Sequence, residues 1–157
     1  MLHYRPVLGI LAVLALVAVA CNAGASPSAS APAGGGTTVN VAVAEYSVTP
    51  ESESAPTGDV TFHVTNDGPN DVHEFVVVKT DLAPDALPTA DDGSFDEDGQ
   101  GVEVIDEIEE IEVGASQDLT VSLEAGSYVV LCNRVETEDG ETESHYAMGM
   151  HAAFTVE

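Results

Sequence analysis

Four side chains in the sequence offer the donor atoms of a transition-metal site. His145 follows Cys132 after twelve intervening residues, Met150 follows after four more, and His73 lies well upstream. Two imidazoles, one thiolate and one thioether form a soft donor set. Copper favours this set in a trigonal arrangement of two histidines and a cysteine with a weak axial methionine, whereas zinc rarely takes a thioether. The residue types therefore predict one copper ion held by these four residues.

Other residues compete for the same roles. Met148 lies two residues before Met150 and is an alternative axial ligand. His151 follows Met150 directly and would point away from a metal held by its neighbour, and His63 alternates with threonines on a predicted strand face. For Cys132 the alternative is an inert buried thiol. Because an unpaired thiol in an oxidising compartment is prone to oxidation, we expect Cys132 to be buried and inert, catalytic, or bound to a metal.

The elements that must position these side chains are short strands. From Thr37 onward apolar and polar residues alternate, turn residues recur, and helical periodicity is almost absent. The apolar run of the predicted strand Val72–Thr80 indicates a central position in its sheet. One helical turn is expected within residues 81–90. The predicted strands include Thr38–Val48 with a break near Ala44, Asp59–Asn66, Val72–Thr80, Val102–Val113, Ser116–Glu124, Tyr128–Cys132 and Ala152–Glu157.

About seven or eight short strands in about 120 residues predict an all-β fold, a Greek-key antiparallel β-sandwich. In such a sandwich the start of one strand and the loop between two others meet at the same end. His73 begins the third predicted strand, and Cys132 ends the penultimate one. His145 and Met150 precede the last strand. We therefore expect the four donors to converge at one end of the sandwich.

The N-terminal region predicts export and a membrane anchor. Residues 1–21 combine a short basic start, an apolar run too short to span a membrane, and the sequence AVAC ending at Cys21. This pattern is similar to a bacterial lipoprotein signal, in which Cys21 would be lipidated, and a plain secretory signal is the alternative. Residues 22–36 are rich in Ala, Ser, Pro and Gly and predict a flexible tether. We expect residues 37–157 to form one domain on the outer face of the cytoplasmic membrane.

The charge distribution limits the possible partners. The protein has a net charge of −25, and all 28 acidic residues lie beyond residue 36, where Lys79 and Arg134 are the only lysine and arginine. A strongly anionic surface argues against nucleic acid and acidic lipids and favours a partner protein with a basic docking surface. Adaptation to high salt would produce the same composition.

Three segments of the sequence resemble the cupredoxins, the small blue copper proteins. The resemblance is strongest to the plastocyanin/azurin-like and sulfocyanin-like domains of exported prokaryotic proteins. It rests on HEFVVVKTDLAPDALP from His73, GSYVVLCN into Cys132 and HYAMGMHAAFTV from His145, and it covers most of residues 37–157. The resemblance implies His73, Cys132 and His145 as strong copper ligands and Met150 as the axial one. It also implies one type 1 copper ion per domain.

The sequence departs from the usual cupredoxin pattern at two places. Cupredoxins place the second histidine only a few residues after the cysteine, whereas Val135–Ser144 is inserted here and carries five acidic residues. We expect this insertion to form a surface loop, since lengthening a loop costs little free energy. Many plastocyanins and azurins also have an asparagine directly after the first histidine ligand, where this sequence has Glu74.

Two functions fit these features. The first is a membrane-anchored type 1 copper protein, not an enzyme, that carries single electrons between redox partners by cycling between Cu(I) and Cu(II). The second is an extracytoplasmic copper chaperone or storage protein with the same ligands. For the first, the resemblance implies that electrons leave through the ring edge of the second histidine, within an apolar patch that includes Ala147, Met148, Ala152 and Ala153. A multicopper enzyme would need a further histidine cluster, which the sequence lacks.

Overall fold

The described part of the chain consists of β-strands and their connections. The computed structural model describes residues 36–138 and 140–157, and the predicted signal (1–21), Cys21 and most of the tether (22–36) lie outside this part. The all-β prediction is confirmed. Eleven strands run through the described residues: β1 Thr37–Ala44, β2 Ser47–Pro50, β3 Ser54–Ala55, β4 Gly58–Asn66, β5 His73–Thr80, β6 Val102–Ile111, β7 Ser116–Leu123, β8 Gly126–Leu131, β9 Val135–Glu138, β10 Glu141–Ser144 and β11 His151–Val156.

The segment 81–90 contains turns and bends and no helix, so the predicted helical turn is wrong. Pro84 and Pro88 explain the difference, because each lacks the backbone N–H that a helix would use. Within the described residues, no helix has the length and apolar character needed to cross a membrane.

Nine of these strands pack as two sheets, which form the predicted sandwich. One sheet has the order β2–β1–β4–β7, and the other has the order β3–β11–β8–β5–β6. The chain passes between the sheets after β2, β3, β4, β6 and β7, as in Greek-key connections. Most neighbouring strands are antiparallel, but β1 pairs with β4 and β3 with β11 in parallel. The structure has more strands than predicted for two reasons. The predicted first strand is divided into β1 and β2 after Ala44, as expected, and the strands β3, β9 and β10 are too short for the sequence pattern to predict.

The apolar side chains of alternating strand positions fill the space between the sheets. Phe62 is fully buried there, and its ring lies 5.3 Å from the rings of both Phe75 and Phe154, measured between centroids. This contact joins β4 of one sheet to β5 and β11 of the other. Burial of such aromatic pairs is a major stabilising term for a domain of this size.

The strand β5 is buried on both faces, as its apolar run predicts. It lies between β8 and β6, and its residues Phe75 to Val78 are fully buried. Phe75 and Val77 face the core between the sheets, whereas Val76 and Val78 belong to a second apolar cluster on the other face. The segment 81–101 supplies Leu87 and Phe95 to that second cluster and so covers the outer face of the sheet.

The strand directions bring three chain segments to one end of the sandwich. β5 begins at His73, β8 ends one residue before Cys132, and β11 begins one residue after Met150. Leu131 at the end of β8 is opposite Val76 of β5 and His151 of β11. The sheet register thus places the backbones of three predicted donors side by side.

Candidate metal centre

Three of the predicted donors meet in a buried cluster at this end of the sandwich. Sγ of Cys132 lies 3.4 Å from Nδ1 of His145 and 3.9 Å from Nδ1 of His73, and the two Nδ1 atoms are 3.2 Å apart. The side chains of His73 and Cys132 are fully buried and His145 is 1% exposed. All three donor atoms therefore face one point, with no water-accessible surface between them.

Met150 is held beside this cluster by its backbone. Its carbonyl oxygen accepts the N–H of Cys132 at 3.0 Å, and its N–H donates to the carbonyl oxygen of His145 at 3.0 Å. Its side chain is fully buried in the same apolar cluster as Cys132, whereas Met148 is 50% exposed. The fold thus places Met150, and not Met148, where an axial thioether could approach a metal.

The turn between His145 and Met150 is closed by local hydrogen bonds. The carbonyl oxygen of Ser144 accepts the N–H of Met148. The hydroxyl of Ser144 accepts the N–H of Ala147 and donates to the carbonyl oxygen of Gly93. Gly149 has φ of 106°, which other residues rarely adopt. This compact turn reverses the chain so that both Met150 and His145 point inward.

The thiol of Cys132 accepts hydrogen bonding from the protein backbone. The N–H of Glu74 donates to Sγ at 3.2 Å. Burial raises the pKa of this thiol to about 11, and the backbone N–H groups of Glu74 and Arg134 only partly oppose that effect. Without a cation the sulfur is therefore protonated at neutral pH. A bound metal would supply the positive charge that keeps it as a thiolate.

Both histidines of the cluster favour the neutral imidazole form. Burial is the main cause that lowers the pKa of His73 and of His145 below the ordinary value. A neutral imidazole has a free lone pair for a metal. The His145 ring also packs edge-on against Tyr46, with 5.5 Å between ring centroids, and the hydroxyl of Tyr46 donates to Glu143 at 3.0 Å.

Two asparagines support the cluster from outside it, and sequence reasoning missed both. Asn66, fully buried at the end of β4, donates from Nδ2 to the carbonyl oxygens of Asp71 and Ile111, each at 2.8 Å. It thereby fixes the segment that leads into His73. Asn133 accepts the N–H of Phe95 at 2.7 Å and ties the residue after the cysteine to the covering segment 81–101. Asn66 lies in no motif and Asn133 only closes the segment GSYVVLCN, so their burial and contacts are what reveal their roles.

The acidic insertion is a β-hairpin, so the prediction of a surface loop has to be corrected. β9 and β10 pair antiparallel with Glu136 opposite Glu143 and Glu138 opposite Glu141. Alternating residues on both sides of an Asp-Gly pair explain why this segment forms strands. Arg134 compensates part of the charge repulsion, with Nε 2.7 Å from the Glu136 carboxylate.

The side chain of Glu74 joins a group of acids and does not support the cysteine loop. Its carboxylate lies within 4.8 Å of those of Glu97 and Glu107. Burial, followed by the charges of Glu107 and Glu97, raises the pKa of Glu74 to about 7. The loop-supporting role of an asparagine at this position is therefore absent here, and Asn133 holds the cysteine segment instead.

The other residues considered from sequence lie outside the cluster. His63 is on the outer face of β4, where its Nδ1 is 2.6 Å from the Asp118 carboxylate. His151 is half-buried and packs on Tyr146, with 5.2 Å between ring centroids. The expected apolar patch is present in part: Ala147, Met148 and Ala153 are exposed, whereas Ala152 packs against the core.

Comparison with solved structures defines the class of fold. An auracyanin from Roseiflexus castenholzii is 23% identical, with a TM-score of 0.53 over 79% of this chain and 99% of its own. Auracyanin A from Chloroflexus aurantiacus, a "blue" copper protein, is 19% identical, with a TM-score of 0.50 over 78% and 100%. Rusticyanin from Thiobacillus ferrooxidans is 18% identical, with a TM-score of 0.52 over 78% and 79%. Neither protein-family models nor curated proteins gave a match.

The chain therefore has the cupredoxin fold, as the sequence resemblance predicted. At such low identity these likenesses establish the fold, and the case for a metal rests on this chain's own residues. Two imidazole nitrogens and a sulfur lie 3.2 to 3.9 Å from one another, and a buried thioether lies alongside. This donor set fits a copper ion better than a zinc, calcium or magnesium ion.

We predict that Glu74→Gln stabilises the metal-free protein at pH 8 and leaves its stability at pH 4 almost unchanged. The pKa of Glu74 is about 7 in the folded protein against 4.5 in the unfolded chain. As the pH rises through this interval the unfolded state loses its proton first, so the wild type loses stability. We expect a gain of about 1–2 kcal/mol at pH 8, because Glu74 is partly exposed to solvent.

The measurement is the free energy of unfolding in urea at both pH values. Glu109→Gln is the matched control, since Glu109 lies two residues along β6 from Glu107 and is exposed. An equal gain in the control, or an equal gain at pH 4, would show that burial of Glu74 is not the cause.

Proposed function

We propose that this protein is a type 1 copper protein that carries single electrons, and not an enzyme. The observation that supports this most directly is the convergence of one sulfur and two Nδ1 atoms in a buried cluster, with Met150 packed beside them. His73, Cys132 and His145 would be the strong ligands and Met150 the axial one. The fold shared with auracyanin and rusticyanin supports the same function.

Copper would supply a one-electron couple, and this chain's residues would let that couple operate with little rearrangement. The donors lie at the ends of paired strands and in a closed turn, so their backbones are fixed before any metal binds. The N–H of Glu74 stabilises negative charge on the sulfur of Cys132. Close packing around the cluster excludes water and resists movement.

The ring of His145 is the exit that we propose for the electron. The turn that follows it exposes Ala147, Met148 and Gly149, which form a small apolar surface. As an axial ligand, the weak thioether of Met150 would stabilise Cu(II) only slightly, and less than an oxygen donor would, whereas the carboxylates of Asp71 and Glu136 near His145 favour Cu(II) more strongly. The potential of the site would reflect the balance of these two effects.

A copper chaperone or storage protein is the second candidate. Asp71 and Glu136 place carboxylate oxygens within 4.8 Å of a ring nitrogen of His145, and such oxygens could receive a cation in transit. Complete burial of Cys132 and Met150 favours the electron carrier, because exchange would require the site to open. Copper transfer to a Cu(I) chelator distinguishes the two: it is slow for a carrier and fast for a chaperone.

We further propose that the protein is exported and held at the outer face of the cytoplasmic membrane by lipid on Cys21. The sequence of residues 1–21 supports this proposal. Residues 22–36 would let the domain reach membrane-bound donors and acceptors. The net charge of −25 supports a redox partner with a basic docking surface.

We predict that one equivalent of Cu(II) gives an intense visible band with narrow EPR hyperfine splitting. Cys132→Ser should abolish the band, because the transition needs the thiolate, and His145→Ala should lose most of the bound copper. Met150→Leu should keep a visible band and raise the reduction potential. Met148→Leu is the matched control and should leave spectrum and potential unchanged, since Met148 is half exposed. A pale spectrum for the wild type would contradict the proposed function.

We predict that electron transfer to a basic c-type cytochrome slows as ionic strength rises. Salt weakens the attraction between opposite charges, and at physiological ionic strength charges more than about 8 Å apart are largely screened from each other. Glu141→Lys on the exposed hairpin should reduce the rate and weaken its salt dependence, and Asp59→Lys at the far end of the sandwich is the charge control. Stopped-flow rates that do not depend on salt, or that fall equally in both variants, would argue against docking beside the hairpin.

We predict that Cys21→Ala moves the protein from the membrane to the soluble exported fraction. Stable anchoring needs covalently attached acyl chains, which this variant lacks. Cell fractionation with detergent phase partitioning measures the change. Cys132→Ser, which removes the other cysteine, should remain in the membrane fraction. Membrane retention of Cys21→Ala would contradict the lipid anchor.

A further inference from the structure

Two buried side-chain polar atoms in the described part of the chain have no hydrogen-bond partner. They are Oε2 of Glu45 and Nε2 of His73. A buried polar atom without a partner costs free energy, and such atoms are rare in folded proteins. One of the two is an acceptor, the other becomes a donor when it is protonated, and both belong to residues at the metal-centre end of the sandwich.

Glu45 is held in place by the segment that leads into His73. It lies in the turn between β1 and β2, and its Oε1 accepts the N–H groups of Asn70 at 2.8 Å and Asp71 at 2.6 Å. These two N–H groups stabilise the negative charge of the Glu45 carboxylate. One oxygen of an ionised carboxylate is thus used, and the other is buried and free.

Metal binding would create the donor that this free oxygen lacks. Nδ1 of His73 and Nδ1 of His145 lie 3.2 Å apart at the point where the metal would bind. When both Nδ1 atoms bind a metal, a neutral imidazole keeps its single proton on Nε2. The Nε2–H of His73 then needs an acceptor in a buried place.

We propose that Glu45 is a positioning residue whose Oε2 accepts the Nε2–H of His73 when Nδ1 of His73 binds the metal. This inference rests on the proposed copper site. Carboxylates that bond to the distal nitrogen of a ligand histidine fix its ring orientation and raise its basicity. Glu45 therefore has two tasks: Oε1 anchors the approach to His73, and Oε2 orients the ring and favours Cu(II) over Cu(I).

Glu45→Gln separates the two tasks. The amide oxygen of glutamine can still accept the N–H groups of Asn70 and Asp71, but its NH₂ group cannot accept a proton from Nε2 of His73. We expect the metal-free variant to unfold at nearly the temperature of the wild type. We expect about 10- to 100-fold weaker Cu(II) binding, a smaller loss for Cu(I), and consequently a higher reduction potential.

Glu143→Gln is the matched control. It also neutralises one carboxylate close to the centre, but its amide oxygen can still accept the Tyr46 hydroxyl and it does not bond to His73. The measurements are competition titrations for Cu(I) and Cu(II), potentiometry, and thermal unfolding of the full-length protein. Equal shifts of the potential in both variants, or unchanged Cu(II) affinity in Glu45→Gln, would overturn the proposal.

A crystal structure of the copper-loaded wild type tests the same bond without any variant. We expect Oε2 of Glu45 and Nε2 of His73 within about 2.7–2.9 Å, as for other charge-assisted hydrogen bonds. A different acceptor at Nε2, or a water molecule there, would overturn the role of Glu45 and leave the copper site intact. A wild type that shows no blue copper spectrum would overturn both the proposed function and this inference.

Discussion

The burial of three polar donors at one end of an apolar sandwich is the constraint on which the rest of this structure depends. Burying a thiol and two imidazoles away from water costs free energy unless each one is hydrogen-bonded or bound to a metal. The chain brings the three donor atoms within 3.9 Å of one another, and the N–H of Glu74 donates to the sulfur. Because a ligand set must be held to within about 0.5 Å of its productive geometry, strand ends and a hydrogen-bonded turn carry the donors.

The surrounding elements are arranged to hold those strand ends. Asn66 fixes the approach to His73, and Asn133 ties the cysteine segment to the covering segment 81–101. Tyr146 donates to the carbonyl oxygen of Pro84 and accepts the N–H of Leu87, so the turn before Met150 is attached to the same cover. The second apolar cluster therefore stabilises the centre as well as the sheet.

The buried donor cluster favours uncharged side chains, whereas the surface of the protein is strongly anionic. The hairpin after Cys132 puts Glu136 opposite Glu143, and like charges opposite each other are unfavourable in a sheet. Bonds from Arg134 and Tyr46 offset part of this cost. An acidic surface beside His145 would favour the oxidised form of a bound metal and, under the proposed function, an encounter with a basic partner.

The sequence by itself determined the all-β class, the central position of β5 and the four candidate donors, because alternation, apolar runs and donor chemistry are local properties. It did not reveal the parallel pairing of β1 with β4 or the hairpin at Val135–Ser144, although the Asp-Gly pair signals a turn there. Only the tertiary structure distinguishes Met148 from Met150, since it buries Met150 and leaves Met148 half exposed. It alone identified Asn66, Asn133 and Glu45, because each acts through contacts with residues distant in sequence.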